Sequence, residues 1–155
     1  MFTDLMASGS GGIDINSIIS PLTSLTSHKY SSQTLDMGVG IAYFNCNSQN
    51  NYSWYIYTTT PVDLTNYSKI ILKGKLNVPC SGGNFEKGII LGLTNSTPSV
   101  SNLSDYENKV TITDVGDFSL ELDVSNINTS KYVKICCATF VNQGYIYGAP
   151  MLIKK

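Results

Sequence analysis

The segment Asp117–Val124 reads Asp-Phe-Ser-Leu-Glu-Leu-Asp-Val, and this unbroken alternation leaves the chain few folds to choose from. Successive side chains of a strand point to opposite faces. Phe118, Leu120, Leu122 and Val124 therefore share one face, and Ser119, Glu121 and Asp123 share the other. Segment 69–76 repeats the pattern, with Ile70, Leu72 and Leu76 on one side and Lys69, Lys73 and Lys75 on the other. In 132–141, Val133, Ile135, Cys137 and Val141 are expected on one face. One-sided strands of this length need a second sheet to cover them. The chain is thus predicted to be all-β: a two-sheet antiparallel β-sandwich, jelly-roll-like, with almost no helix.

Strands are predicted at 37–45, 51–60, 67–78, 87–94, 107–113, 117–124, 131–142 and 144–154. Turn clusters separate them, among them Pro79–Asn84 and Asn142-Gln143-Gly144. At 155 residues the chain has room for one substantial core. Residues 36–155 form the predicted sandwich domain. Residues 1–35 form a flexible arm or linker that can also supply an edge strand. Ala7-Ser8-Gly9-Ser10-Gly11-Gly12 is small and flexible, and Pro21 with its Ser/Thr-rich surroundings opposes a long helix.

Only 14% of residues are charged, Arg is absent, and the formal net charge is −1. Nucleic-acid binding lacks its electrostatic footprint, and no apolar run approaches the roughly 18 residues of a membrane span. No basic residue and long apolar run mark the start as a secretory signal, so the chain is expected to be made in the cytoplasm or to have lost a signal. A surface of Ser, Thr, Asn and Tyr suits glycans or a polar protein neighbour.

Catalysis finds little support. The single histidine, His28, is far from the cysteines, and no Gly-x-Ser-x-Gly elbow is present. Glu86, Glu107 and Glu121 fall on different outward faces or turns, and most aspartates sit at strand ends where they cap turns. No metal site or cofactor is expected: there is no Cys-x-x-Cys, no phosphate loop and no EF-hand loop. Cys136 and Cys137 are adjacent and point to opposite faces. Cys46 and Cys80 both fall near predicted strand ends and could pair, but four cysteines allow three pairings and spacing favours none, so all four are read as thiols, with Cys137 a small core residue.

The sharpest chemical feature is aromatic. In Asn51–Thr60, Tyr52, Trp54 and Ile56 fall on one face and Tyr55 and Tyr57 on the other, and Tyr145 and Tyr147 share a face near the C-terminus. The candidate ligand-binding residues are therefore Trp54, Tyr55, Tyr57, Tyr145 and Tyr147. An exposed set can stack on sugar rings. A buried set anchors the core or a subunit interface.

Two segments resemble known modules. Residues 58–77 carry Asp-Leu-Thr-x-Tyr-Ser-Lys before a core strand. Residues 118–140 run strand, Leu-Asp-Val-Ser-x-Ile turn, then Lys-Tyr-Val-Lys-Ile strand. With the closing Tyr-Ile-Tyr-Gly-Ala-Pro-Met-Leu-Ile-Lys-Lys, they resemble carbohydrate-binding-module-like jelly rolls of tail and other virion proteins of phages infecting Firmicutes-like bacteria. The resemblance implies a non-catalytic virion component located in the virion, partnered by other virion proteins and by copies of itself. The alternative is a carbohydrate-binding module for cell-surface or polysaccharide glycans, either on a phage or secreted.

Overall fold

A computed structural model of the chain describes residues 19–21, 25–29, 34–38, 41–47, 54–99 and 104–155. These residues form thirteen strands and no helix: β1 (Ile19–Pro21), β2 (Leu25–Lys29), β3 (Thr34–Gly38), β4 (Ile41–Asn47), β5 (Trp54–Thr58), β6 (Val62–Asp63), β7 (Tyr67–Leu76), β8 (Ile89–Thr94), β9 (Asn108–Ile112), β10 (Gly116–Asp123), β11 (Ser130–Cys137), β12 (Val141–Ile146) and β13 (Met151–Lys154).

All pairings are antiparallel. Sheet I runs β1-β13-β7-β12-β4-β3, with β10 on the other side of β7. Sheet II runs β2-β5-β11-β8-β9, with β6 on β11. The two sheets pack face to face over one hydrophobic core to which both contribute. The predicted sandwich is present.

Alternation places the core where the sequence put it. Phe118, Leu120 and Leu122 of β10 are buried, as are Ile70, Leu72 and Leu76 of β7, while Glu121 and Lys73 are exposed. Opposite them sit Ile89, Leu91 and Leu93 of β8 with Val133, Ile135 and Cys137 of β11. Trp54 is completely buried against Phe44, with ring centroids 4.7 Å apart. Its indole N–H donates to Asn142 Oδ1 at 3.0 Å, and Asn142 Nδ2 donates to the Thr139 carbonyl at 3.1 Å. An indole can enter a dry core only with such a partner.

The turns follow their expected chemistry. Asp63 accepts from the Thr65 amide and hydroxyl (3.0 and 2.6 Å), and Asp123 accepts from the Ser125 amide and hydroxyl (2.8 and 2.6 Å). Those bonds hold both carboxyls below the ordinary aspartate range. Tyr132, at its strand entrance, accepts from the Thr97 hydroxyl at 3.1 Å.

Strand boundaries differ in places. The predicted strand 37–45 is two antiparallel strands, β3 and β4, with Gly38 paired to Ile41, so the chain reverses where one continuous strand was expected. The strand predicted at 131–142 ends at Cys137, and Val141 opens β12. The intervening turn resets the alternation, so Val141 is half-buried and Asn142 points inward instead. The strand predicted at 144–154 is split at Gly148, whose φ of 88° suits glycine, followed two residues later by Pro150. Within residues 1–35, β1 joins sheet I through β13 and β2 joins sheet II through β5. The linker at 7–12, like Tyr52, lies outside the described residues.

Candidate functional site

The outer face of sheet II is built as two rows across the strands. Tyr57 of β5, Lys134 of β11, Gly92 of β8 and Lys109 of β9 form one row; Tyr55, Cys136, Ile90 and Thr111 form the next. Both faces of β8 are covered, so all six of its residues are buried. The run Ile-Ile-Leu-Gly-Leu is the sequence mark of a two-sided strand.

Glycine at position 92 makes room for the cover. A Cβ there would collide with the Tyr106 ring and with the Asn108 carbonyl. Tyr106 lies across the sheet with its ring centroid 4.2 Å from Lys134 Nζ and 6.0 Å from Lys109 Nζ. Phe85, Tyr106 and Tyr57 pack on Tyr55, Cys136 and Ala138 to make a second, smaller apolar cluster outside the main core. Tyr55 and Tyr57 themselves pack with centroids 5.5 Å apart.

A concavity opens on each side of Tyr106. One, of about 420 Å³, is walled by Asn84, Phe85, Glu86 and Lys109 over a floor of Cys136 and Ala138. The other, of about 310 Å³, is lined by Thr94, Asn95, Ser96, Asp105 and Glu107. Both fall in the size range of small-molecule sites, and both combine an aromatic wall with converging amides, hydroxyls and carboxylates.

Charge is organised around the same ring. Glu86 accepts from Lys109 and from the Thr111 hydroxyl (2.8 Å), and Glu107 pairs with Lys131 at 2.6 Å. These hydrogen bonds hold both carboxyls below the ordinary glutamate range. Lys134 is fully buried, and burial lowers its pKa. Burial raises the Tyr106 phenol and pushes Cys136 up to about 11. The Lys134 ammonium is held beneath the Tyr106 ring as a desolvated cation–π pair, which fixes the ring over the sheet.

The candidate aromatics are divided among three places. Trp54 is inside the core with no exposed surface, so its ring is not a surface platform. Tyr55 is almost wholly buried beneath the sheet II cover, and Tyr57 is half-buried beside it. Tyr145 and Tyr147 lie on the opposite sheet. There Tyr43, Tyr145 and Tyr147 form a row, with centroids 5.2 and 6.5 Å apart. Gln143 Nε2 donates to the Tyr43 hydroxyl at 3.1 Å, and the Tyr147 hydroxyl donates to Asp117 at 3.4 Å. Tyr147 is 43% exposed.

Sequence reasoning missed Tyr106, Phe85 and Lys134. The signals available were Gly92 interrupting an apolar strand and a lysine at an outward position within a strand whose neighbours are apolar. Among the described residues, no three His, Cys, Asp or Glu side chains cluster as metal ligands, and no helix is long and apolar enough to cross a membrane. Each of the three glutamates is paired with a different lysine, Glu121 with Lys69 at 3.1 Å, and the pairs lie on two different sheets.

The fold is a two-sheet antiparallel β-sandwich, an architecture found in solved carbohydrate-binding modules. No family model and no curated protein matches the sequence. Solved structures do match the fold. One is the family 11 carbohydrate-binding module of Clostridium thermocellum in complex with a β-1,3-1,4-mixed-linked tetrasaccharide (12% identity, 86% of this chain and 90% of that one covered, TM-score 0.51). Another is the low-affinity xylan-binding module CBM86 of Roseburia intestinalis (9% identity, 88% and 94% covered, TM-score 0.52). At these identities the likeness is one of fold.

Proposed function

We propose that this domain is a non-catalytic glycan-binding module whose site is the Tyr106 cleft on the outer face of sheet II. The observation that carries the reading is Tyr106 itself. Its ring bridges a buried lysine and separates two concavities lined by amide, hydroxyl and carboxylate groups. A pyranose presents flat C–H patches and a rim of hydroxyls. The first suits Tyr106 and Phe85; the second suits Asn84 and Asn95, whose amides accept and donate, and Glu86 and Glu107, whose carboxylates accept. The paired lysines hold these carboxylates ionised as acceptors. The sandwich fold is shared with modules whose structures carry a mixed-linked glucan or bind xylan, which supports the same ligand class here.

The test is affinity electrophoresis of the full chain through gels containing soluble β-glucans, xylans and bacterial cell-wall polysaccharides. At least one polysaccharide retards the wild-type chain. Tyr106→Ala weakens that retardation at least about tenfold in Kd, as loss of a central aromatic contact does. Retardation by none of them, or undiminished by Tyr106→Ala, refutes the reading.

The Tyr43–Tyr145–Tyr147 row favours a second role on the opposite face: docking to copies of this chain or to other virion proteins. An aromatic row that is half-buried at Tyr43 and Tyr145 and exposed at Tyr147 is a surface such an interface can use. Placement in a phage virion draws on the sequence resemblance and accords with a glycan-recognising domain at a host surface. Light scattering that shows the wild-type chain self-associated, and Tyr147→Asp monomeric, supports it; a monomeric wild type that also fails to bind phage particles refutes it.

A further inference from the structure

The connection from β7 to β8 brings Cys80 onto the end of β11. Its sulfur lies 3.7 Å from that of Cys137, although the two residues are 57 apart in sequence. The contact is fixed by backbone on both sides. The Ser81 amide donates to the Val141 carbonyl at 3.0 Å, and the Val141 amide donates back to the Ser81 carbonyl at 2.9 Å. Gly82 sits so close to Phe140 that a Cβ would collide with its ring. The remaining cysteines are elsewhere: Cys46 on β4, and Cys136 on the opposite face of β11 from Cys137. All four cysteines are thiols, as read from the sequence; the Cys46–Cys80 pairing considered there is not the contact formed, because the sulfur beside Cys80 is that of Cys137.

We infer that Cys80 and Cys137 are a dithiol that closes to a disulfide when the folded chain meets a low-molecular-weight disulfide oxidant such as glutathione disulfide. The sulfurs need to approach by about 1.6 Å to reach bonding distance, and Cys80 lies in the connection between β7 and β8, outside the regular strands. The division of labour follows from accessibility. Cys80 is half-buried and meets the oxidant; Cys137 is fully buried and waits behind it.

The Cys80 thiolate attacks one oxidant sulfur, forming a mixed disulfide and expelling one thiolate. Cys137 then gives up its proton, attacks the Cys80 sulfur and expels the second thiolate. Two protein thiols are oxidised, one oxidant disulfide is reduced to two thiols, and the two protein protons end on the leaving groups. The Cys137 thiol, hydrogen-bonded to Cys80, holds Cys80 below the usual thiol range, while burial pushes Cys137 well above it. That order suits Cys80 as the attacking group. The crosslink ties the segment that carries Asn84, Phe85 and Glu86 to β11. This inference stands on the sulfur geometry and is independent of the glycan reading.

The experiment incubates the reduced full chain with glutathione disulfide, alkylates the remaining thiols after denaturation, and maps the peptides by mass spectrometry. Before alkylation the expected product is about 2 Da lighter than the reduced chain, from loss of two thiol hydrogens; after it, a single link joins the Cys80 and Cys137 peptides, and Cys46 and Cys136 are alkylated. Closing a loop of this length raises the thermal midpoint by about 10 °C, and reduction reverses the shift. In Cys80→Ser no link forms; in Cys137→Ser the glutathione adduct persists on Cys80. Four alkylated cysteines in the treated wild type, a lasting adduct on Cys80, or a link through Cys46 or Cys136 overturns the inference.

Discussion

Gly92→Ala is the substitution that links the sandwich to the cleft. The new methyl group would collide with the Cδ1 and Cε1 edge of Tyr106 and press on the Asn108 carbonyl. Relieving an overpacked contact of this kind costs about 1–3 kcal/mol. Replacing a strand glycine returns about 0.5–1 kcal/mol through the unfolded chain. The net destabilisation is therefore about 0–2.5 kcal/mol, a fall in midpoint of up to about 10 °C for a domain of this size. The informative assay is a double-mutant cycle with Tyr106→Ala, read by thermal unfolding. With the ring removed, only the Asn108 contact remains, and Gly92→Ala becomes neutral or nearly so. A coupling of about 1 kcal/mol or more is expected between the two sites. Gly92→Ala also displaces the ring over Lys134 and so weakens glycan retardation in parallel with Tyr106→Ala. Equal costs for Gly92→Ala with and without the Tyr106 ring would refute the placement of that ring on β8.

Other substitutions test other parts of the structure. Leu120→Asp places an unpaired carboxylate in the core and unfolds the domain or lowers its midpoint by more than 10 °C, whereas Glu121→Ala removes only an exposed ion pair with Lys69 and shifts it by about 2 °C or less. Asn142→Ala strands the Trp54 indole N–H and the Thr139 carbonyl in the core, costing about 2–4 kcal/mol in denaturant unfolding followed by the single tryptophan's fluorescence. The folded-state pKa values of Asp63, Asp123, Glu86 and Glu107 are all depressed by hydrogen-bond partners. Their contribution is therefore present above the unfolded carboxylate values near 4 and is lost as pH falls through the folded ones, so midpoints stay level from pH 7 to about 5 and drop below about 4.

The parts of the fold legible in the sequence are those governed by one local rule. Period-two alternation was enough for β7 and β10, because each has one dry face and one wet face. Asp63-x-Thr65 and Asp123-x-Ser125 were legible as turns because the cap is formed within three residues. The failures share a cause in long-range packing. The turn between β11 and β12 was expected at Asn142-Gln143-Gly144, because the actual turn at 138–140 carries no glycine or proline, only Ala-Thr-Phe. Trp54 was correctly placed on a face of its own strand, yet which face is dry depends on Phe44 and Asn142, which come from distant strands. The cleft was illegible for the same reason. Tyr106 and Lys134 are 28 residues apart and meet only because Gly92 on a third strand leaves space between them.

The most direct test of the glycan site is a two-dimensional amide NMR titration of the full chain with the polysaccharide fragment that retards it best. Perturbations are expected at Gly92, Asn95, Tyr106, Glu107 and Lys109, around the cleft on sheet II, with the amides of Tyr43, Tyr145 and Tyr147 unmoved. Shifts confined to those three tyrosines on sheet I, or no shifts at saturating ligand, contradict the assignment of the site to Tyr106.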